Sequence, residues 1–153
     1  MQREARVTRR FIVPLEELSD EVLFLPDATA TDWGRILSHA RLFRAEPGDV
    51  IARAGDDDRA LWLLAEGAVF VMKGTDVVKT SEAPSVLGEI AFLDGGPRSA
   101  DLVAATDAEI ARFDHASLDA LAAEDAGLSR RMALDLGRIA ALRLRAVEAA
   151  ARA

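Results

Sequence analysis

The sequence predicts a mainly β protein: a double-stranded β-helix, or jelly-roll barrel, flanked by N-terminal and C-terminal α-helices. Two observations predict it. From Pro47 to Phe113, short runs rich in Val, Ile and Leu recur between Gly, Pro and Asp clusters, and strands this short and regular suit a closed or double-sheet architecture. On either side the texture changes to the spacing of three or four that marks amphipathic helices.

Taken in order, residues 1–30 form an N-terminal extension, with Pro14 to Leu25 mixing acidic and apolar residues before Pro26 closes it. Thr31 and Asp32 offer capping oxygens to a short helix with Trp33, Ile36, Leu37 and Ala40 on one face. The expected strand segments are Val50–Ala52, Ala60–Ala65, Val69–Met72, Val77–Lys79, Val86–Leu87, Leu102–Ala104 and Glu109–Phe113. Lys73-Gly74-Thr75-Asp76 reads as a tight hairpin turn. A helix then runs from His115 to Glu124, with Asp114 or Ser117 near its start, and Gly127 breaks it. A longer helix from Leu128 to about Ala150 places Leu128, Met132, Leu136, Ile139, Leu142 and Ala146 along a seam suited to a partner helix. The expected organisation is therefore 1–30 as an extension, 31–127 as the barrel with its flanking helices, and 128–153 as a C-terminal lid or dimerisation helix of the same domain.

Composition narrows the function. The 153 residues carry a net charge of −7, spread unevenly: residues 1–10 hold +3, residues 128–153 hold +4, and residues 11–127 hold −14. An acidic body repels nucleic acid and anionic membranes at long range, so an anion bound by it needs local, desolvated donors. There is no cysteine, hence no disulfide, thiolate metal site or cysteine nucleophile. The apolar runs are far too short to span a bilayer, the Arg-rich start lacks an apolar signal core, and a cytoplasmic location is expected. His39 and His115 lie far apart, Ser99 and Ser117 have no neighbouring base, and Asp56-Asp57-Asp58 lacks calcium-loop spacing and reads as a solvated turn. Neither catalysis nor a metal is expected.

The segment that carries chemistry is Gly88-Glu89-Ile90-Ala91-Phe92-Leu93-Asp94-Gly95-Gly96-Pro97-Arg98-Ser99-Ala100. Glu89 to Asp94 is long enough for one and a half helical turns, whose first N–H groups, from Gly88 to Ala91, orient partial positive charge outward. Gly95 and Gly96 permit a bend and Pro97 stiffens it. The bend swings Arg98 back over the helix start, where its fork can meet two phosphate oxygens at once. Ser99 and the amides after it add donors, and an ionised Glu89 accepts from sugar hydroxyls. One cation for a phosphate beside one anion for a hydroxyl describes the sugar-phosphate end of a nucleotide.

This segment resembles the phosphate-binding cassette of the cyclic nucleotide-binding domain family, which includes catabolite activator proteins, kinase regulatory subunits and cyclic nucleotide-gated channels. Phe43, Gly48, Ile51, Gly55-Asp56, Leu61-Trp62-Leu63 and Gly67-Ala68-Val69 match the family's barrel signature, and the likeness covers roughly residues 31–145. The resemblance implies that Glu89 holds the ribose 2′-hydroxyl and Arg98 the cyclic phosphate. It gives Ser99 the phosphate or the purine, and completes the cradle with amides near Gly88, Ile90, Ala91 and Ala100. Val71 and Val78 fall where the family lines its base pocket. The chain departs from the family at Ala83-Pro84-Ser85, where a glycine and an aspartate are usual, and its last helix has no Trp or Tyr to cap a purine.

The expected function is a stand-alone sensor or regulatory subunit that binds cyclic AMP, slightly favoured, or cyclic GMP, with no other cofactor. Phosphate capture would draw the cassette inward and repack the C-terminal helices. Expected partners are the nucleotide, an unknown protein effector and a homodimer through the Leu128–Ala150 helix, with no DNA-binding domain or membrane span in this sequence. The alternative is a ligand-free structural or dimerisation module that has kept the barrel.

Overall fold

The computed structural model describes residues 23–152; most of the expected N-terminal extension lies outside them. In chain order the elements are α1 (Ala30–Ser38), β1 (Arg41–Ala45), β2 (Val50–Ala52), β3 (Leu61–Glu66), β4 (Ala68–Lys73), β5 (Asp76–Glu82), β6 (Ser85–Leu87), α2 (Glu89–Asp94), β7 (Asp101–Ala104), β8 (Ala108–Phe113), α3 (His115–Glu124) and α4 (Ala126–Arg152). The strands form two antiparallel four-stranded sheets, ordered β1-β8-β3-β6 and β2-β7-β4-β5. The protein is thus a mainly β jelly roll with helices on its N- and C-terminal sides.

Strand β3 shows why the molecule has two cores. Leu61 through Ala65 are all buried, because successive side chains leave opposite faces of a sheet and both faces of this one are covered. Trp62 and Leu64 point between the sheets with Val69, Leu87, Leu102 and Ile110. Leu61, Leu63 and Ala65 point outward, under a helical layer that brings Trp33, Ile36, Leu121, Met132 and Leu136. Among the described residues the second sheet has no such cover: β5 is exposed at six of its seven residues, with Ser81 the buried exception. Among the described residues, helices therefore pack on one sheet only, and α2 lies in the connection that leaves that sheet at β6 and enters the other at β7.

The starts of α1, α3 and α4 are held by carboxylates, and the caps correct the sequence reading. Thr29, not Thr31, caps α1: its hydroxyl accepts the Asp32 N–H at 3.1 Å while Asp32 accepts the Thr29 N–H at 3.0 Å. Asp114 and Ser117 form the same reciprocal box on α3. The break between α3 and α4 falls at Asp125 rather than Gly127, because the Asp125 carboxylate accepts the Leu128 N–H at 3.0 Å and starts a new helix there. The expected intermolecular seam on α4 is used within the chain: Leu128, Met132, Leu136 and Ile139 are at most 2% exposed, whereas Leu142 is 40% exposed.

Candidate functional site

A cavity of about 280 Å³ opens between α2 with the turn after it on one side, and β4 and β5 on the other. Gly88, Glu89, Ile90 and Ala91 line it from the start of α2; Arg98, Ser99 and Ala100 line it from the returning loop, and Val71 from β4. These eight expected residues come together. Val78 does not. The β4–β5 ladder pairs Val71 with Lys79 but Met72 with Val77, so Val78 is the extra residue of a bulge. It is 53% exposed, and the inward positions of β5 belong to Lys79 and Ser81.

Gly88 has φ +79° and caps α2 from the left-handed region, and Gly95, φ +71°, ends the helix with its N–H on the Ala91 carbonyl. Arg59 donates to the carbonyls of Phe92 and Leu93, and His115 Nε2 lies 2.7 Å from the Phe92 carbonyl oxygen. The last turn of the cassette helix is thereby tied to the barrel and to α3.

The two charged residues singled out from the sequence are both buried at the cavity wall, Glu89 at 5% and Arg98 at 6% exposure. Their partners revise the expected chemistry. Arg98 turns its Nε and Nη2 toward one oxygen of Asp58, at 3.0 and 2.7 Å. Nη2 also donates to the Ala60 carbonyl, and Nη1 donates to the Gly88 carbonyl at 3.0 Å. The fork edge expected to clasp a phosphate thus holds Asp58, which is a buttress of the site rather than part of a merely solvated turn. The guanidinium lies over the Trp62 ring, 4.4 Å from ring centroid to Cζ. Glu89 pairs with Arg143 of α4 at 2.7 Å, and Arg143 also donates to the Val86 carbonyl at 3.0 Å.

Asp58, Trp62, Lys79, Ser81 and Arg143 are not among the site residues expected from the sequence, which reads Asp58 as part of a solvated turn and Trp62 as part of the barrel signature. For Arg143 a signal was present. Leu128, Met132, Leu136 and Ile139 are followed at the same spacing by position 143, so a cation stands where the buried stripe calls for an apolar residue. A charge on a buried face is placed for a partner. Among the described residues, no group of three or more His, Asp or Glu is placed to hold a metal ion, and no helix is long and apolar enough to cross a membrane.

Comparison with known proteins gives concordant results. The family model described as "Cyclic nucleotide-binding domain" matches residues 42–125. A cAMP-dependent protein kinase regulatory subunit of Hypocrea atroviridis is 29% identical over 116 residues, 76% of this chain and 25% of the relative. The chain spans between a quarter and a third of the length of such curated relatives, 25% and 31% in two of them. Among solved structures, a cyclic nucleotide-binding domain from Methylobacillus flagellatus KT superposes with TM-score 0.75 at 20% identity, covering 94% of this chain and 79% of that one. The Thermus thermophilus catabolite activator protein superposes with TM-score 0.70 at 25% identity, covering 81% and 59%.

Proposed function

This chain belongs to the cyclic nucleotide-binding domain family, and from that premise we propose that it binds a cyclic purine nucleoside monophosphate and acts in regulation rather than catalysis. The observation that carries the reading is the open cavity with a buried acid and a buried base on one wall, Glu89 and Arg98. A cyclic phosphodiester meets the remaining Nη1 hydrogen of Arg98, the amides that open α2 and the Ser99 hydroxyl. Ribose hydroxyls donate to Glu89, which shares its carboxylate between the sugar and Arg143. Val71, Leu87 and Leu102 supply the apolar surface for a base. A charge-assisted hydrogen bond contributes about 1.5–3 kcal/mol, so two or three with apolar burial reach the roughly −8 kcal/mol of a micromolar complex.

Cyclic AMP is the first reading, in keeping with the names of the curated relatives. Lys79 favours a second. Its ammonium only donates, and it lines the cavity on the β5 side; guanine presents two acceptors, O6 and N7, where adenine replaces one with a donor.

Calorimetric titration with both nucleotides tests the proposal. The expected result is saturable heat with micromolar affinity, lost at least 30-fold in Arg98→Ala, with Arg98→Lys as a second variant and unliganded melting curves to confirm folding. No heat from either nucleotide up to millimolar concentration overturns it in favour of a ligand-free module. A homodimer through α4 remains part of the proposal, but with the seam buried in the chain's own core it rests on the exposed Leu144 and Val147.

A further inference from the structure

We propose that Trp62 is a positioning residue: its indole face sets the plane of the Arg98 guanidinium and so aims the one donor left for a ligand. This rests on the reading of Arg98 as the phosphate-binding cation. A guanidinium has five N–H groups in one plane. Four of them meet Asp58, twice, Ala60 and Gly88, which leaves a hydrogen on Nη1.

Where that hydrogen points depends on the plane. Hydrogen bonds along the edges resist sliding within the plane, whereas tilting is resisted by what lies on its faces. Trp62, 2% exposed and directed between the sheets, covers one face with the ring centroid 4.4 Å from Cζ. Gly88 crowds the same spot: a Cβ built there would lie 2.5 Å from Arg98 Nη1 and 3.0 Å from Trp62 Cζ3. Indole, guanidinium and glycine backbone thus close-pack around the position a phosphate would approach. An aromatic face attracts a cation through its quadrupole, more strongly where water is excluded, and an aliphatic side chain of equal bulk lacks that term. The other tryptophan, Trp33, packs in the helical layer on the outer side of the first sheet and serves as an internal control.

The test uses the full chain with Trp62→Phe, which keeps an aromatic face, and Trp62→Leu and Trp62→Met, which refill the site without one. Two readouts are taken: Kd for cyclic AMP and cyclic GMP, and the Arg98 side-chain Nε–H resonance in the unliganded protein, which the indole ring current displaces. Trp62→Phe is expected to bind within about three-fold of wild type and keep a displaced, slowly exchanging resonance. The aliphatic variants are expected to lose on the order of five- to thirty-fold in affinity, and their resonance moves toward the position of free arginine. A folded Trp62→Leu or Trp62→Met that binds like wild type with an unmoved resonance overturns the proposal. If wild type binds neither nucleotide but the resonance still separates Phe from Leu and Met, the ligand assignment falls and the positioning role stands. Should neither aliphatic variant fold, the Phe variant decides: a lost resonance displacement together with affinity weakened more than ten-fold overturns it.

Discussion

Gly88 sits at the point where backbone conformation and the placement of Arg98 meet. Its φ of +79° is one that residues with a side chain adopt at a cost of about 1–2 kcal/mol. A methyl group there would also press at once on the Arg98 guanidinium, 2.5 Å from Nη1, and on the Trp62 ring, 3.0 Å from Cζ3. Asp58, Ala60 and Trp62 hold that guanidinium on β3 and the strand's approach, so relief requires Arg98 to leave its place. Gly88→Ala is expected to lower stability by about 2 kcal/mol and to weaken nucleotide binding at least 30-fold, measured by calorimetry where melting curves show the variant folded. Binding at wild-type strength in a folded Gly88→Ala would mean that Arg98 needs no such placement. At this scale the cassette was legible because its residues are contiguous: Gly88, Glu89 and Arg98 stand within eleven positions. Asp58 and Trp62 were not, because an acid and an indole some 40 positions away along the chain become partners of Arg98 only once the loop before β3 bonds to the loop before β7, through Gly55 and Asp56 on the Arg98 backbone.

Among the elements, seven of the eight strands follow the apolar runs read from the sequence, and β1 was missed. Its five residues RLFRA include two exposed arginines on opposite faces of the strand, Arg41 and Arg44, paired with Arg112 and Glu109 of β8, so polar residues interrupt on both faces the signal that marks a strand. Helix starts carry a further consequence. Asp32, Asp114 and Asp125 each accept a backbone N–H at the start of a helix. For Asp114 the Ser117 N–H is the main cause that holds its carboxyl below the usual carboxylate value, helped by the Ser117 hydroxyl and Arg112 and opposed by burial. The Thr29 N–H does the same for Asp32, and the Leu128 N–H for Asp125. A carboxyl depressed in the folded state holds fewer protons there than in the unfolded chain. Its contribution is complete above the unfolded value of about 4 and is lost as pH falls through the lower folded value. Asp114→Ala is therefore expected to lower stability at pH 7 by about 1 kcal/mol, roughly 3 °C for a chain of this size. Thermal melts from pH 7 to 2 should show the gap between wild type and variant closing below about pH 4; a constant gap would remove the ionised cap from the account.

At the scale of the whole molecule, α4 is the element that joins the cavity wall, through Arg143, to the helical core. Its first half is anchored by Leu128, Met132, Leu136 and Ile139 in the core shared with α1 and α3, and Arg138, paired with Asp135 of the same helix, ties it to the Leu23 carbonyl. From Leu144 to Arg152 every residue is exposed. Arg143 stands at the boundary, joined to Glu89 and to the Val86 carbonyl, so the acid proposed to take the ligand's sugar also fastens the helix. A ligand that binds only the folded protein adds about 2.7 kcal/mol at a hundred times its Kd. Coupling of that gain to the end of α4 requires a free-energy difference between states, and the Glu89–Arg143 pair is a contact able to supply it. Arg143→Ala leaves Glu89 buried without that cation and is expected to cost about 2 kcal/mol. In amide hydrogen exchange, wild type should show the last turns of α4 slowed by saturating nucleotide. In Arg143→Ala the same turns should exchange faster, and nucleotide should still slow α2 while leaving residues 144–152 unchanged. If nucleotide protects those turns equally in both proteins, the Glu89–Arg143 pair is not the connection, and the core stripe of α4 must carry the coupling instead.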